Sequence, residues 1–309
     1  MILRPWALSV ALLATLAGCG AAGENRVQKP ARLHATPVTA DLVATRGETQ
    51  DEYFLRQAML VNQWVKQSGG GSAGVSLLDA VHEARDQTGK QTRWSQDDLE
   101  LALRGWLKSA QGRDSVRLAA AYLAADRVLA LAWRPFHMTD PDPAVRARLK
   151  TLGAEVSGAS GEMTYEGTWL QTAQRLNPMG PIGQRAALIA LEADCAGGDS
   201  PDAYHSIIGR LETLVASPAD SEVKFTAEVL EADAYRDIVA LGRGFGKGNA
   251  DSTKFLPEAD SSKTKAIILY EAAVAVDSTS RLSRGAALAH DRLATAQPLD
   301  HVRFFCFGD

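Results

Sequence analysis

From residue 51 onward, apolar positions recur at helical spacing almost without a break. Phe54, Ala58, Val61 and Val65 fall on one face of a first helix, with Trp64 beside them. Ser68 to Gly74 (SGGGSAG) ends that pattern, and a second stripe follows through Val75, Leu78 and Val81. Ser95 followed by Asp98 reads as the start of a third helix, with Leu99, Leu103, Trp106, Leu107 and Ala110 on its buried face. The stretch from Ser115 to Trp133 is apolar nearly all round and is expected to lie between other helices. A short helix is expected at 144–152. Residues 155–165 break the period around Gly158 and Gly161, as a small β-hairpin or a plain loop would. Helical patterning then resumes over 168–176, 182–195, 202–216, 222–241, 263–276 and 281–295. The fold class is therefore all-α. In the helix at 222–241, Ala227, Leu230, Ala234, Ile238 and Leu241 form the apolar face, and Glu228, Glu231 and Asp237 fall largely outside it.

The first 50 residues follow different rules. Arg4 precedes an apolar run from Trp6 to Leu16 that is too short to span a bilayer and ends in small residues, as a secretory signal does. Leu16-Ala17-Gly18-Cys19 resembles the bacterial lipobox. The resemblance implies cleavage after residue 18 and lipidation of Cys19. Residues 19–50 are poor in large apolar side chains and read as a flexible tether, whose ends would lie roughly 30 Å apart. The remainder divides into a helical region at 51–162 and a second at 163–309. An anchor at Cys19 places the protein in the cell envelope, with the outer membrane facing the periplasm as the expected site.

Two parts of the C-terminal half carry a further resemblance. Ala266, Tyr270, Ala273 and Ser278 have the spacing of the second helix of a tetratricopeptide repeat, and Ala232 with Tyr235 suits its first helix. An insertion containing Gly242, Gly244, Gly246 and Gly248 separates them. Because of those glycines, residues 243–262 are expected to contribute little to the core. A weaker copy covers 182–195 and 202–216. Tyr165 to Leu170, Asn177-Pro178, Cys195 and the ending Arg303-Phe304-Phe305-Cys306-x-x-Asp309 also resemble a group of tetratricopeptide-like bacterial lipoproteins of uncharacterised function. That resemblance implies a helical solenoid and no particular reaction.

The net charge of −4 gives no electrostatic footprint for nucleic acid. With Cys19 lipidated, Cys195 and Cys306 are left as an even pair in a compartment that permits disulfides. Their bridge would close a loop of about 110 residues and stabilise by about 4–5 kcal/mol on the chain-entropy model. Two separate buried thiols are the alternative. A metal site involving His205 or His301 is the weakest reading, since neither stands at a compact zinc-ligand spacing from the cysteines.

The run from Gly242 to Gly248 lacks the Gly-Lys-Ser/Thr ending of a phosphate loop and follows a helix rather than a strand. His82-Glu83 has Asp86 where a zinc protease needs histidine. His137, Asp140 and Asp142 read as a polar turn, and Glu162 with Glu166 is the least poor candidate for a carboxylate pair. No catalytic residue, metal or cofactor is assigned. Trp94 and Trp169 are the aromatics placed to line a binding groove, whereas Trp64, Trp106 and Trp133 fall on core faces. Phe304, Phe305 and Phe307 either pack back on the last helices or present an apolar patch to a partner.

These readings lead to a non-catalytic scaffold that binds an envelope protein or peptide. The alternatives are an envelope enzyme such as a peptidoglycan hydrolase, and a small-molecule or glycan-binding lipoprotein. Cys19→Ser is expected to move the protein from the membrane fraction to the soluble fraction on cell fractionation. Undiminished membrane retention would overturn the lipid anchor.

Overall fold

Thr49 stops the chain before the first helix by accepting a hydrogen bond from the Glu52 amide, while Glu52 accepts one from the Thr49 amide. This reciprocal capping box starts α1 (Gln50–Gln67). A computed structural model describes residues 48–74, 77, 93–133, 147, 151, 154–156, 163–165, 167–192, 196–218, 220–245, 250–299 and 302–305. Its helices continue as α2 (Arg93–Ala110), α3 (Ser115–Trp133), α4 (Thr168–Leu176), α5 (Pro181–Glu192), α6 (Asp202–Ala216) and α7 (Ser221–Gly242). They end with α8 (Ser252–Phe255), a 3-10 turn (Leu256–Glu258), α9 (Ala259–Val276) and α10 (Arg281–Ala294). The fold is all-α, with about ten helices packed against one another. Between α3 and α4, β1 (Ala154–Val156) pairs antiparallel with β2 (Met163–Tyr165), with Glu155 opposite Thr164. Among the described residues, no helix is long and apolar enough to cross a membrane.

In the N-terminal half α3 is the shared partner, packing against α1, α2, α4 and α5. Its composition explains this. Ala119, Ala120, Ala121, Ala124 and Ala125 are all buried, and side chains that small let several helices approach one axis. Trp106 of α2 reaches in and donates its indole N–H to the Ala121 carbonyl at 2.9 Å. The glycine run after α1 does more than end a helix. A Cβ on Gly74 would stand 2.6 Å from Val65 Cγ1 and 3.2 Å from the Trp106 ring, so the chain turns tightly over the core there. Ser95 is not the cap of α2, because the helix already includes Arg93. Helical geometry extends past the residue whose side chain suggested a boundary, as element ends read from local signals often do.

In the C-terminal half the shared partner is α7, flanked by α5, α6, α8, α9 and α10. Asp220 caps it, accepting from the Val223 amide at 2.9 Å. Every residue from Val229 to Gly242 is buried, including Glu231, Asp233, Arg236 and Asp237. The one-sided amphipathic reading of this helix is therefore corrected: with neighbours on all sides it has no solvent face over that length.

The insertion before α9 is also corrected. Phe255 is fully buried, its ring edge-on to Tyr204 of α6 with centroids 5.8 Å apart. Gly242 sits under it, where a Cβ would come within 3.2 Å of the Ala259 Cβ and the Leu256 amide nitrogen. Phe255, Ala259 and Ser262 thus join the core, and trimming 243–262 would remove a buried aromatic and the first turn of α9. Phe255→Ala is expected to cost about 3–5 kcal/mol in urea denaturation. A loss close to zero would show that the insertion is dispensable.

Candidate functional site

Charged residues are densest around the middle of α7. Asp233, Arg236 and Asp237 fall at i, i+3 and i+4, and so meet on one side of the helix. Arg236 spans the two acids, with Nη1 3.1 Å from Asp233 Oδ1 and Nη2 3.2 Å from Asp237 Oδ1. Tyr270 of α9 donates its hydroxyl to Asp233 Oδ1 at 2.5 Å. From the C-terminal segment, Arg303 Nε donates to Asp233 Oδ2 at 2.6 Å, and Arg303 Nη1 lies 3.8 Å from Glu192 at the end of α5. The Arg303 and Phe304 amides both donate to Asp237 Oδ2, at 2.7 and 2.8 Å. The Phe304 carbonyl accepts from the Ala196 amide at 2.6 Å, and Ala196 and Phe305 form a parallel bridge.

Burial and charge compete here. Burial alone would raise the Asp233 carboxyl, but the charges of Arg236 and Arg303 and the hydrogen bonds from Tyr270 and Arg303 hold it below the usual carboxylate range. Asp237 goes the other way: burial lifts it to about 6, against the pull of Arg236 and the Phe304 amide. Burial holds the Tyr270 hydroxyl well above its ordinary value. Arg236 and Arg303 are both held charged by neighbouring acids that outweigh their desolvation. Glu192, Asp233 and Asp237 against two guanidiniums make a nearly balanced group, the condition under which buried charges are tolerated.

All four oxygens of Asp233 and Asp237 are engaged by protein donors. Chemically, the arrangement is a clamp. It holds the backbone of residues 303–304 against α7 and pins that segment to the end of α5. A cavity of about 20 Å³ lies beside it, bounded by Val229, Leu282, Gly285 and Ala286 as well as Asp233, Arg236 and Arg303. Its size suits one water molecule, and Arg236 Nε, which has no partner among the described residues, belongs to a residue of its lining. The buried Tyr204 hydroxyl likewise has no hydrogen-bond partner among the described residues.

The aromatics and cysteines singled out from sequence fare unevenly. Trp169 is 9% exposed and lies on the buried face of α4 with Leu170 and Ala173. Trp64 and Trp106 are fully buried. The side chains of Trp94 and Trp133 lie outside the described residues, as do Cys19, Cys195, Cys306, His82, Glu83, His137, Asp140, Asp142, Glu162, Glu166 and His301. The Ala196–Phe305 bridge joins the chain neighbours of Cys195 and Cys306. Phe304 and Phe305 are buried, packing inward. His205 contacts Glu258 at 2.7 Å, and no group of metal-ligating residues occurs among the described residues.

The acid–arginine clamp was not anticipated from sequence. Its signal was present, since Asp233, Arg236 and Asp237 stand at i, i+3 and i+4 in a helix rich in Ala, Val and Leu. Their partners, Tyr270 and Arg303, lie 37 and 70 residues from Asp233 along the chain. No protein-family model, curated protein or solved structure matches this chain.

The clamp has a pH signature. Asp237 binds its proton more tightly in the folded state, because burial raises it from 3.8 to about 6. Its contribution to stability is full below 3.8 and declines as pH rises through about 6. Asn at this position does not titrate. Asp237→Asn is therefore expected to destabilise most at the acidic end of that interval, with a penalty that shrinks above it, measured by urea unfolding across pH. A penalty independent of pH would show that Asp237 titrates alike in the folded and unfolded states.

Proposed function

We propose that this protein is a lipid-anchored scaffold of the bacterial cell envelope that binds a peptide or protein segment through a tetratricopeptide-like face. The supporting observation is the consecutive packing of α6 on α7, α7 on α9, and α9 on α10. Stacking of successive helices generates the extended surface that solenoid proteins use for ligands. The clamp on α7 supports the same reading, since its acids are engaged in holding the chain rather than in facing a cleft. Trp169, one of the two aromatics considered for a glycan-binding cleft, is largely buried.

Membrane attachment rests on Cys19 and the tether that follows it. The occupant of the face is then a polypeptide reachable within a few tens of ångströms of the membrane surface. Photo-crosslinking tests this directly. A benzophenone amino acid at Ile268, which is 58% exposed on α9, is expected to trap a discrete polypeptide in the envelope. The same group at Leu101, 71% exposed on α2, is expected not to trap it. Adducts with lipid or glycan alone, or equal capture from both positions, would overturn the scaffold reading.

A further inference from the structure

α10 buries small side chains for the most part. Ser283, Ala286 and Ala289 lie inward between Leu282 near its start and Leu293 near its end, while Leu288 is exposed. The helix packs on α9 and α7, and Leu282, Gly285 and Ala286 bound the cavity beside Asp233, Arg236 and Arg303. Short side chains bury little apolar area, so a polar tie makes up more of what holds such a helix in place.

One tie of this kind crosses to α9. His290 Nε2 lies 3.2 Å from Glu271 Oε1 of α9, and His290 Nδ1 lies 3.1 Å from Oδ1 of the adjacent Asp291. Both ring nitrogens therefore face carboxylate oxygens, which only accept when ionised. A neutral imidazole carries one N–H and would turn a lone pair toward one of the two acids. Only the imidazolium donates to both, so the arrangement selects the charged ring. The hydrogen bond to Asp291, joined by that to Glu271 and by both charges, raises His290 above its ordinary value against the opposing effect of burial.

Other charged groups of these helices are engaged elsewhere. Arg281 pairs with Glu52 of α1, Arg284 donates to the Thr279 carbonyl, and Lys265 of α9 donates to Tyr235. Asp233 and Arg236 of α7 belong to the clamp. Asp260 and Lys263 stand two turns or more before Glu271, and Arg292 falls on another side of α10 from His290.

We infer that His290 is a proton-dependent tie between α9 and α10, which holds α10 against the cavity beside the clamp and loosens it in alkali. Below the ordinary histidine value of 6.5 the ring is charged whether folded or unfolded, and the tie is fully made. As pH rises through the higher folded value, the ring loses a proton, one acid loses its donor, and the contribution is lost. This window lies above the interval in which Asp237 titrates, so the two effects separate along the pH axis. Glu271 and Asp291 are largely exposed, which limits the effect to that of a surface pair, about a threefold change in local opening.

The test follows the His290 ring nitrogens by NMR and the α10 amides by hydrogen exchange, across pH in the full chain. Both nitrogens are expected to carry protons below the midpoint, with the midpoint above 6.5. Amide protection over Ala286–Leu293, corrected for the intrinsic rise of exchange with pH, is expected to fall about threefold as pH passes that midpoint. His290→Gln is expected to abolish the step, and Glu271→Gln to shrink it and lower the midpoint. Asp291→Asn is expected to lower the midpoint and keep a step, because Asp291 belongs to α10 itself. A midpoint at or below 6.5, a step that survives His290→Gln, or one that Glu271→Gln leaves unchanged would overturn the tie. A step confined to the Asp237 interval would overturn it too, and would assign the loosening to the clamp.

Discussion

Asp237 holds two consecutive backbone amides of the C-terminal segment on one carboxylate oxygen, and much of the second half of the molecule is organised around that contact. Asp237 is itself wholly buried and depends on Arg236, which depends in turn on Asp233. Tyr270 and Arg303 then satisfy Asp233 from two other parts of the chain. Each charge is acceptable only because the next is present. Removing one leaves the others in a medium of low polarity without compensation, a far larger penalty than the loss of one surface ion pair. The network consequently selects one docking of residues 303–304 on α7, where apolar contacts alone would accept several.

The same central helix places two unlike groups back to back. Asp233 and Asp237 meet partners from α9 and the C-terminal segment as well as Arg236, and all four of their carboxylate oxygens are engaged. Glu228 and Glu231 lie off that side, and Lys265, whose charge acts on Glu231, is engaged by Tyr235. A helix buried on all sides is held rigid, because its backbone cannot shift without disturbing the clamp.

Small side chains recur wherever a helix has many neighbours. Alanines along α3 let four helices share one axis, and Gly242 lets the turn before α9 lie against the end of α7. Large residues then close the gaps. Trp64, Trp106, Tyr204, Phe255 and Phe304 are each buried between elements distant in sequence. Glu52 of α1 also pairs with Arg281 at the start of α10 at 3.0 Å. That ion pair is solvent-exposed and adds a tie between the ends of the described chain rather than much stability.

The helical class was legible in the spacing of apolar residues, because that spacing is a property of one strand of chain and needs no partner. Core tryptophans 64 and 106 were legible for the same reason, as was the placement of Ser115 to Trp133 between other helices. The anchor reading at Leu16 to Cys19 also belongs to local sequence alone. Tertiary structure decided what periodicity could not: that the face of α7 bearing Asp237 is covered, that Trp169 turns inward, and that Phe255 joins the core from within a glycine-flanked insertion. A residue's burial depends on which other elements arrive beside it, and Tyr270 and Arg303 come from 37 and 70 residues away from Asp233. Local pattern names the surfaces a helix has. The packing of distant segments determines which of them meet water.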